Sequence, residues 1–158
     1  MKKKILIPIV TLLALSMMAT LPAPVKAITK EPFFGLTTYT GWYLGESYRF
    51  WISEEGIIHE MDYYWSAIFE GSLGTGTCEF WYQHWAGDPA TGSIKCVGKF
   101  WLTIPDIGTI EGSWVGLGGY GTLVAFHGTD GFEGAKIKAS WTVVGPLQFY
   151  ATGTITWA

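Results

Sequence analysis

Hydrophobic and polar residues alternate strictly over the last third of the chain. Between Ala135 and Val144 every second side chain is apolar, and the residues between them are lysine, serine and threonine. Gln148–Trp157 repeats this alternation, and the corner at Gly145-Pro146 separates the two segments. Because side chains in a strand point alternately to opposite faces, this period of two predicts two strands with one dry face each. The corner predicts that they form a hairpin.

Short segments of the same kind continue upstream, separated by turn residues. The clearest turn is Gly87–Gly92, where Asp-Pro opens the loop and glycine closes it. No 3.6-residue periodicity occurs after residue 27, so little helix is expected. The remaining predicted strands are Phe33–Tyr43, Tyr48–Ile52, Ile57–Tyr63, Tyr64–Glu70, Thr77–Trp85, Ser93–Ile104, Gly108–Gly116 and Tyr120–His127.

Eight to ten short strands with glycine-rich turns predict an all-β fold. Consecutive hairpins favour a single antiparallel up-and-down β-barrel, which closes on itself and leaves no free edge. Gly112 and Gly153 lie on the predicted dry face, where they would supply the kinks that barrel curvature needs. A two-layer β-sandwich is the alternative.

The first 27 residues have the composition of a secretory signal peptide. Three lysines precede an apolar run, and Val25-Lys26-Ala27 offers a small-residue cleavage site. An uncleaved membrane anchor is the alternative, although the apolar run is short for a membrane span and contains Pro8. We therefore expect a secreted protein in which residues 28–158 form one domain without a further transmembrane segment.

Removal of this leader would make the protein strongly acidic. Four of the ten basic residues lie in the leader and all thirteen acidic residues lie after it, so residues 28–158 carry a net charge of −7. A nucleic-acid ligand is disfavoured because no basic patch is available to release counterions from phosphate groups. The three histidines, His59, His84 and His127, have no metal-ligand spacing. We expect neither a metal nor a cofactor.

Cys78 and Cys96 are the only cysteines. In an exported protein they would meet an oxidising environment, which allows a structural disulfide to form. They lie on the two strands of the predicted central hairpin, for which two registers are possible. In one register the cysteines face each other and the tip shifts to Trp85–Pro89. In the other the tip is Asp88–Thr91 and the sulfurs are offset, unless a bulge realigns them. The disulfide is the favoured expectation.

Five tryptophans are candidate ligand-binding residues. Alternation in the central hairpin places Trp81, Trp85 and Trp101 on the outer face, where indole rings could stack on sugars or on another protein. The alternative is that a neighbouring segment covers this face or that the parity is reversed. Trp114 and Trp141 fall on the dry face, where they would contact a molecule in the lumen.

The run Gly119–Gly134 and the closing segment Tyr150–Ile155 resemble the final strands of small secreted barrels related to allene oxide cyclase and dirigent proteins. Those families share a glycine-punctuated run followed by a last glycine-containing strand. Asp88–Gly92 with Gly98-Lys99-Phe100 also resembles the central hairpin of uncharacterised microbial relatives. The resemblance covers about half of residues 28–158, mainly by glycine spacing, so it implies a barrel and assigns no catalytic residue.

Three functional hypotheses follow. The first is a non-enzymatic secreted barrel whose aromatic lumen binds a small hydrophobic molecule. The second is a surface module that binds a glycan through Trp81, Trp85 and Trp101. The third is an isomerase or cyclase that confines its substrate, which requires at least one buried ionisable group with a shifted pKa.

Overall fold

The computed structural model describes residues 28–158, so the predicted leader lies outside the described residues. Eight antiparallel strands form one sheet that closes into a barrel, with each strand beside its neighbours in chain order. The first and last strands close the ring by pairing Thr29–Thr38 with Gln148–Trp157. The prediction of an all-β, up-and-down barrel is confirmed, and the sandwich alternative is wrong.

The first two strands are longer than the sequence pattern predicts, because each joins two predicted strands. Irregularities near Gly41 and between Leu44 and Arg49 bend the first strand without ending it, so two predicted strands merge into one. The strand bounds are β1 Thr29–Ile52, β2 Ile58–Gly71, β3 Gly74–Asp88, β4 Ser93–Ile104, β5 Gly108–Leu117, β6 Tyr120–Gly128, β7 Lys136–Gly145 and β8 Gln148–Trp157. No helix in this part of the chain is both long and apolar enough to cross a bilayer.

One end of the barrel is filled by side chains. The connection between β6 and β7 contains a single 3₁₀ turn, Asp130–Phe132, and Phe132 is fully buried. Its ring stacks on Trp157 with the ring centroids 5.8 Å apart. Ile110, Ile137 and Ile155 are also fully buried and pack in the same core. Side chains of the turn and of the strands thus fill this end of the barrel, which we call the closed end.

At the opposite end β1 is much longer than β8. Thr38 pairs with Gln148 at the start of β8, whereas β1 continues along β2 as far as Ile52. The β1–β2 hairpin therefore extends beyond the rim of the barrel. We call the apolar residues on the inward face of this extension the apron: Trp42, Leu44, Phe50 and Ile52. All four are exposed, with Trp42 at 62 %.

The central hairpin has the offset sulfurs of the second predicted register, but its turn, Pro89–Gly92, lies one residue further along the chain. Cys78 lies opposite Leu102, and Cys96 lies opposite Trp85. The two cysteines are thus about seven positions apart along the sheet, roughly 20 Å at the rise of a β-strand. Both are free and buried, so the predicted disulfide is wrong. The position of the turn sets this offset, and the bulge after Tyr82 reduces it by only one position, so the sulfurs stay too far apart for a bridge.

Candidate functional site

A cavity of about 150 Å³ lies inside the barrel at its open end. Aromatic rings from five strands form most of its wall, and no lining residue carries a formal charge. Cys96 and Leu123 complete the inner wall, and the β7–β8 hairpin borders the mouth at Pro146. The main aromatic contributions come from Tyr39, Tyr82, Trp85, Trp114, Trp141 and Phe149.

The rings of this wall hold one another in place. Trp114 meets Tyr82 edge to face, with centroids 4.5 Å apart, and meets Trp141 in the same way at 6.1 Å. Edge-to-face pairs are favourable because the positive edge of one ring faces the negative face of the other. The Trp114 Nε1–H also donates to the Lys99 carbonyl oxygen at 3.2 Å. These contacts fix the relative positions of the rings in the wall.

Tyrosine hydroxyls are the main polar groups of the interior. The hydroxyl oxygens of Tyr39 and Tyr82 are 2.8 Å apart, and the Tyr63 ring stacks on Tyr82 at 4.5 Å. Burial raises the pKa of all three hydroxyls above the ordinary tyrosine value. They stay protonated at neutral pH, so they can donate or accept hydrogen bonds without carrying charge.

The structure divides the five candidate tryptophans between two faces. Trp85, Trp114 and Trp141 line the cavity, whereas Trp81 and Trp101 are half-buried in the outward-facing set. The placement of Trp85 on the outer face is therefore wrong. The bulge between Tyr82 and His84 inserts one residue into β3 and reverses the alternation beyond it.

The two outward indoles have polar neighbours. Trp81 donates its Nε1–H to Asp62 at 2.8 Å, and its ring stacks on Tyr64. Trp101 lies between Glu79 on β3 and Glu111 on β5. Without Trp85, the outer face lacks the three-indole patch that the sequence predicts.

Two glycines make room for Trp141 on the inner wall. A Cβ atom at Gly116 would overlap the indole ring, and one at Gly121 would lie 2.8 Å from its Cε2 atom. The Trp141 Nε1 atom is buried and has no hydrogen-bond partner within residues 28–158. The glycines on β5 and β6 thus allow a large ring to lie flat along the wall beside the cavity.

Sequence reasoning missed one charged residue of the open end, Glu60. It lies opposite Phe50 on β1 and opposite Trp85 on β3, so it shares the face that lines the cavity. The Tyr48 hydroxyl donates to Glu60 Oε1 at 3.1 Å. An irregularity at Asp62, whose φ of 57° is left-handed, separates Glu60 from the regular part of β2. Simple alternation counted through Asp62 gives no sign of this placement.

His59 and His84 form a pair on the outside of the barrel, although the sequence separates them by 25 residues. His59 Nδ1 lies 2.9 Å from His84 Nε2, and Trp51 stacks on both rings. Burial, and secondarily the charge of His59, lowers the pKa of His84. Within the described part of the chain, no three His, Cys, Asp or Glu side chains form a group that could hold a metal ion.

The chain matches no protein-family model and no curated protein. Its fold and cavity define a class only: a small, aromatic-lined β-barrel with one closed and one open end. The relation to allene oxide cyclase and dirigent barrels stays a prediction based on glycine spacing.

Proposed function

We propose that this protein is a secreted, non-enzymatic β-barrel that binds a small hydrophobic molecule at its open end. The observation that carries the proposal is the cavity of about 150 Å³, walled by aromatic rings and free of charged side chains. Apolar cavities with a few placed polar groups are the usual sites for small ligands. The basic and apolar composition of residues 1–27 supports export.

The cavity volume limits what can be enclosed. An apolar cavity of about this size holds a molecule as large as benzene, whereas sites for drug-sized ligands are several times larger. A larger ligand must therefore extend through the mouth toward the apron, where Phe50 lies two strands away from the wall residue Trp85. Contiguous exposed apolar residues are uncommon on a monomeric protein without an interaction role. A ligand with one ring inside the cavity and the rest on the apron accounts for both features.

The chemistry of the lining favours binding over catalysis. Burial raises the pKa of the Cys96 thiol to about 12, so the nucleophilic thiolate is scarce at neutral pH. The buried tyrosines are shifted in the same direction, away from the range in which a general acid or base works. The cyclase hypothesis requires a buried ionisable group with a shifted pKa, and such groups are present. Their pKa values are raised, however, so these groups are neutral at neutral pH.

The positions of the tryptophans in the structure support the glycan hypothesis less well than the sequence pattern does. Trp85 faces the lumen, and the Trp81 nitrogen already donates to Asp62. Two half-buried indoles then remain for stacking on a sugar. We therefore place the ligand in the cavity.

A matched pair of variants tests the proposal. Leu123 lines the cavity, whereas its neighbour Val124 is exposed on the outer face. Ligands that bind the folded state raise its thermal stability by mass action. Small aromatic hydrocarbons such as toluene should raise the melting temperature of the wild type and of Val124→Phe, but not that of Leu123→Phe. If no hydrophobic compound shifts the wild-type melting temperature, the proposal is wrong.

A further inference from the structure

Glu60 is surrounded by aromatic side chains at the mouth of the cavity. Phe50 and Trp85 lie directly opposite it on the two neighbouring strands, and Trp85 is also part of the cavity wall. Side chains in such cross-strand pairs lie about 5 Å apart at Cβ and contact each other. Tyr48 donates its hydroxyl to Oε1 and packs on the core below, while Tyr63 is close enough for the Glu60 charge to act on it.

No cation of the described chain faces this carboxylate. All six basic side chains of residues 28–158 belong to the outward-facing set, and Glu60 forms no ion pair within those residues. Arg49, the nearest in sequence, pairs with Met61 on the opposite face of the β1–β2 extension. The adjoining turn adds Glu54 and Glu55, so this end of the barrel is negatively charged. The other five basic residues are Lys30, Lys95, Lys99, Lys136 and Lys138.

We propose that the cavity and Glu60 together bind an organic cation, an ammonium group attached to an apolar substituent. The substituent enters the cavity, and the charged nitrogen lies between the Glu60 carboxylate and the rings of Phe50 and Trp85. This inference rests on the proposed function, because it places the apolar part of the ligand in the same cavity.

The chemistry of the mouth selects for this class of ligand. The faces of aromatic rings attract ammonium groups, and aromatic surroundings are the usual means of recognising quaternary ammonium compounds. A carboxylate beside the rings supplies the opposite charge, and a partly desolvated setting strengthens that attraction. An anionic amphiphile such as a fatty acid would meet Glu60 without any compensating cation. The site therefore discriminates by charge among molecules of equal shape.

Three probes that share a benzyl group separate charge from hydrophobicity. Benzyltrimethylammonium has a ring that fits the cavity, and one methylene group joins this ring to a quaternary nitrogen. Neopentylbenzene has the same shape without charge, and phenylacetate carries a negative charge. Tryptophan fluorescence titration of the full chain at low salt measures all three affinities. The cation should bind about tenfold or more tightly than the neutral isostere, and the anion more weakly than both.

Substitutions at the mouth identify the source of the preference. Glu60→Gln keeps an acceptor for Tyr48 and should bring the cation to within about threefold of neopentylbenzene. Glu70→Gln removes an exposed carboxylate of the same strand and should keep the tenfold preference. Phe50 is exposed, and Phe50→Leu should reduce the preference for the cation over neopentylbenzene by a few-fold, although the Glu60 carboxylate is still present. Thermal melts of each variant establish that it is folded.

The outcomes distinguish this inference from the proposed function. If neopentylbenzene binds as tightly as the cation, or if Glu60→Gln retains the full preference, the cation site is wrong and hydrophobic binding stands. If none of the three probes binds, and toluene does not stabilise the protein, then the cavity is not a ligand site and both proposals fall.

Discussion

The hydroxyl oxygens of Tyr39 and Tyr82 lie 2.8 Å apart, on strands that do not pair with each other. Tyr39 is on β1 and Tyr82 on β3, so this hydrogen bond passes across the inner face of β2. It lies beside the cavity, at the level where β8 ends and β1 continues beside β2. The contact therefore links the base of the extension to the barrel wall.

Removing either hydroxyl should weaken this link measurably. Tyr39→Phe and Tyr82→Phe should each lower the free energy of unfolding by about 1 kcal/mol, the net contribution of one hydrogen bond. The double variant should lose less than the sum, because its second substitution removes a hydroxyl that has already lost its partner. Chemical denaturation of the four proteins measures this coupling. Strictly additive losses would contradict the contact, and the outward Tyr150→Phe should be almost neutral.

The two cysteines should behave as buried thiols. Because both are enclosed, and because burial raises the pKa of Cys96 to about 12, a thiol reagent should react very slowly with the native protein. After unfolding in denaturant without a reductant, the reagent should label two thiols per chain. A count near zero in the unfolded protein would show a disulfide and would refute the register of the central hairpin.

Gly98 should not tolerate a side chain. A Cβ atom there would overlap the Trp81 carbonyl oxygen on β3 and press on the Trp114 indole. Since backbone cannot move aside easily, Gly98→Ala should destabilise the protein by about 1–3 kcal/mol. Gly41→Ala is the control, because no other atom lies within 4 Å of the added carbon. Thermal melts should show a lower melting temperature for the first variant alone; equal melting temperatures would argue against this packing.

The histidine pair should make the fold sensitive to mild acid. The pKa of His84 is lowered in the folded state by burial and by His59, so the unfolded chain binds a proton more readily. Stability should therefore fall as the pH drops below the ordinary histidine value of 6.5. Melting temperatures between about pH 8 and pH 5.5 measure the slope. His84→Gln should flatten it; an unchanged slope in this variant would refute the assignment.

Local patterns in the sequence account for the strands and for much of the core. Alternation alone places Ile137 and Ile155 inside the barrel, where both are fully buried. The turn at Gly87–Gly92 is equally local, since the Asp88 carboxylate accepts hydrogen bonds from Ala90 and Thr91. These features depend on residues a few positions apart, so composition and spacing are enough to predict them.

The faces of Trp85 and Glu60 depend on tertiary structure. One inserted residue after Tyr82 reverses every later side chain of β3, and the irregularity at Asp62 keeps β2 in step with it. Neither irregularity can be predicted from the composition. A bulge changes which residues lie opposite each other, but it does not change which residues are present.

By itself, the sequence determines that residues 28–158 form antiparallel strands with one dry face, because the period of two is a property of the extended backbone. Only the closed sheet decides that Cys78 and Cys96 stay apart and that Tyr39 meets Tyr82. Those relations depend on register and on closure of the ring. Both are set by the pairing of distant segments, which no local pattern specifies.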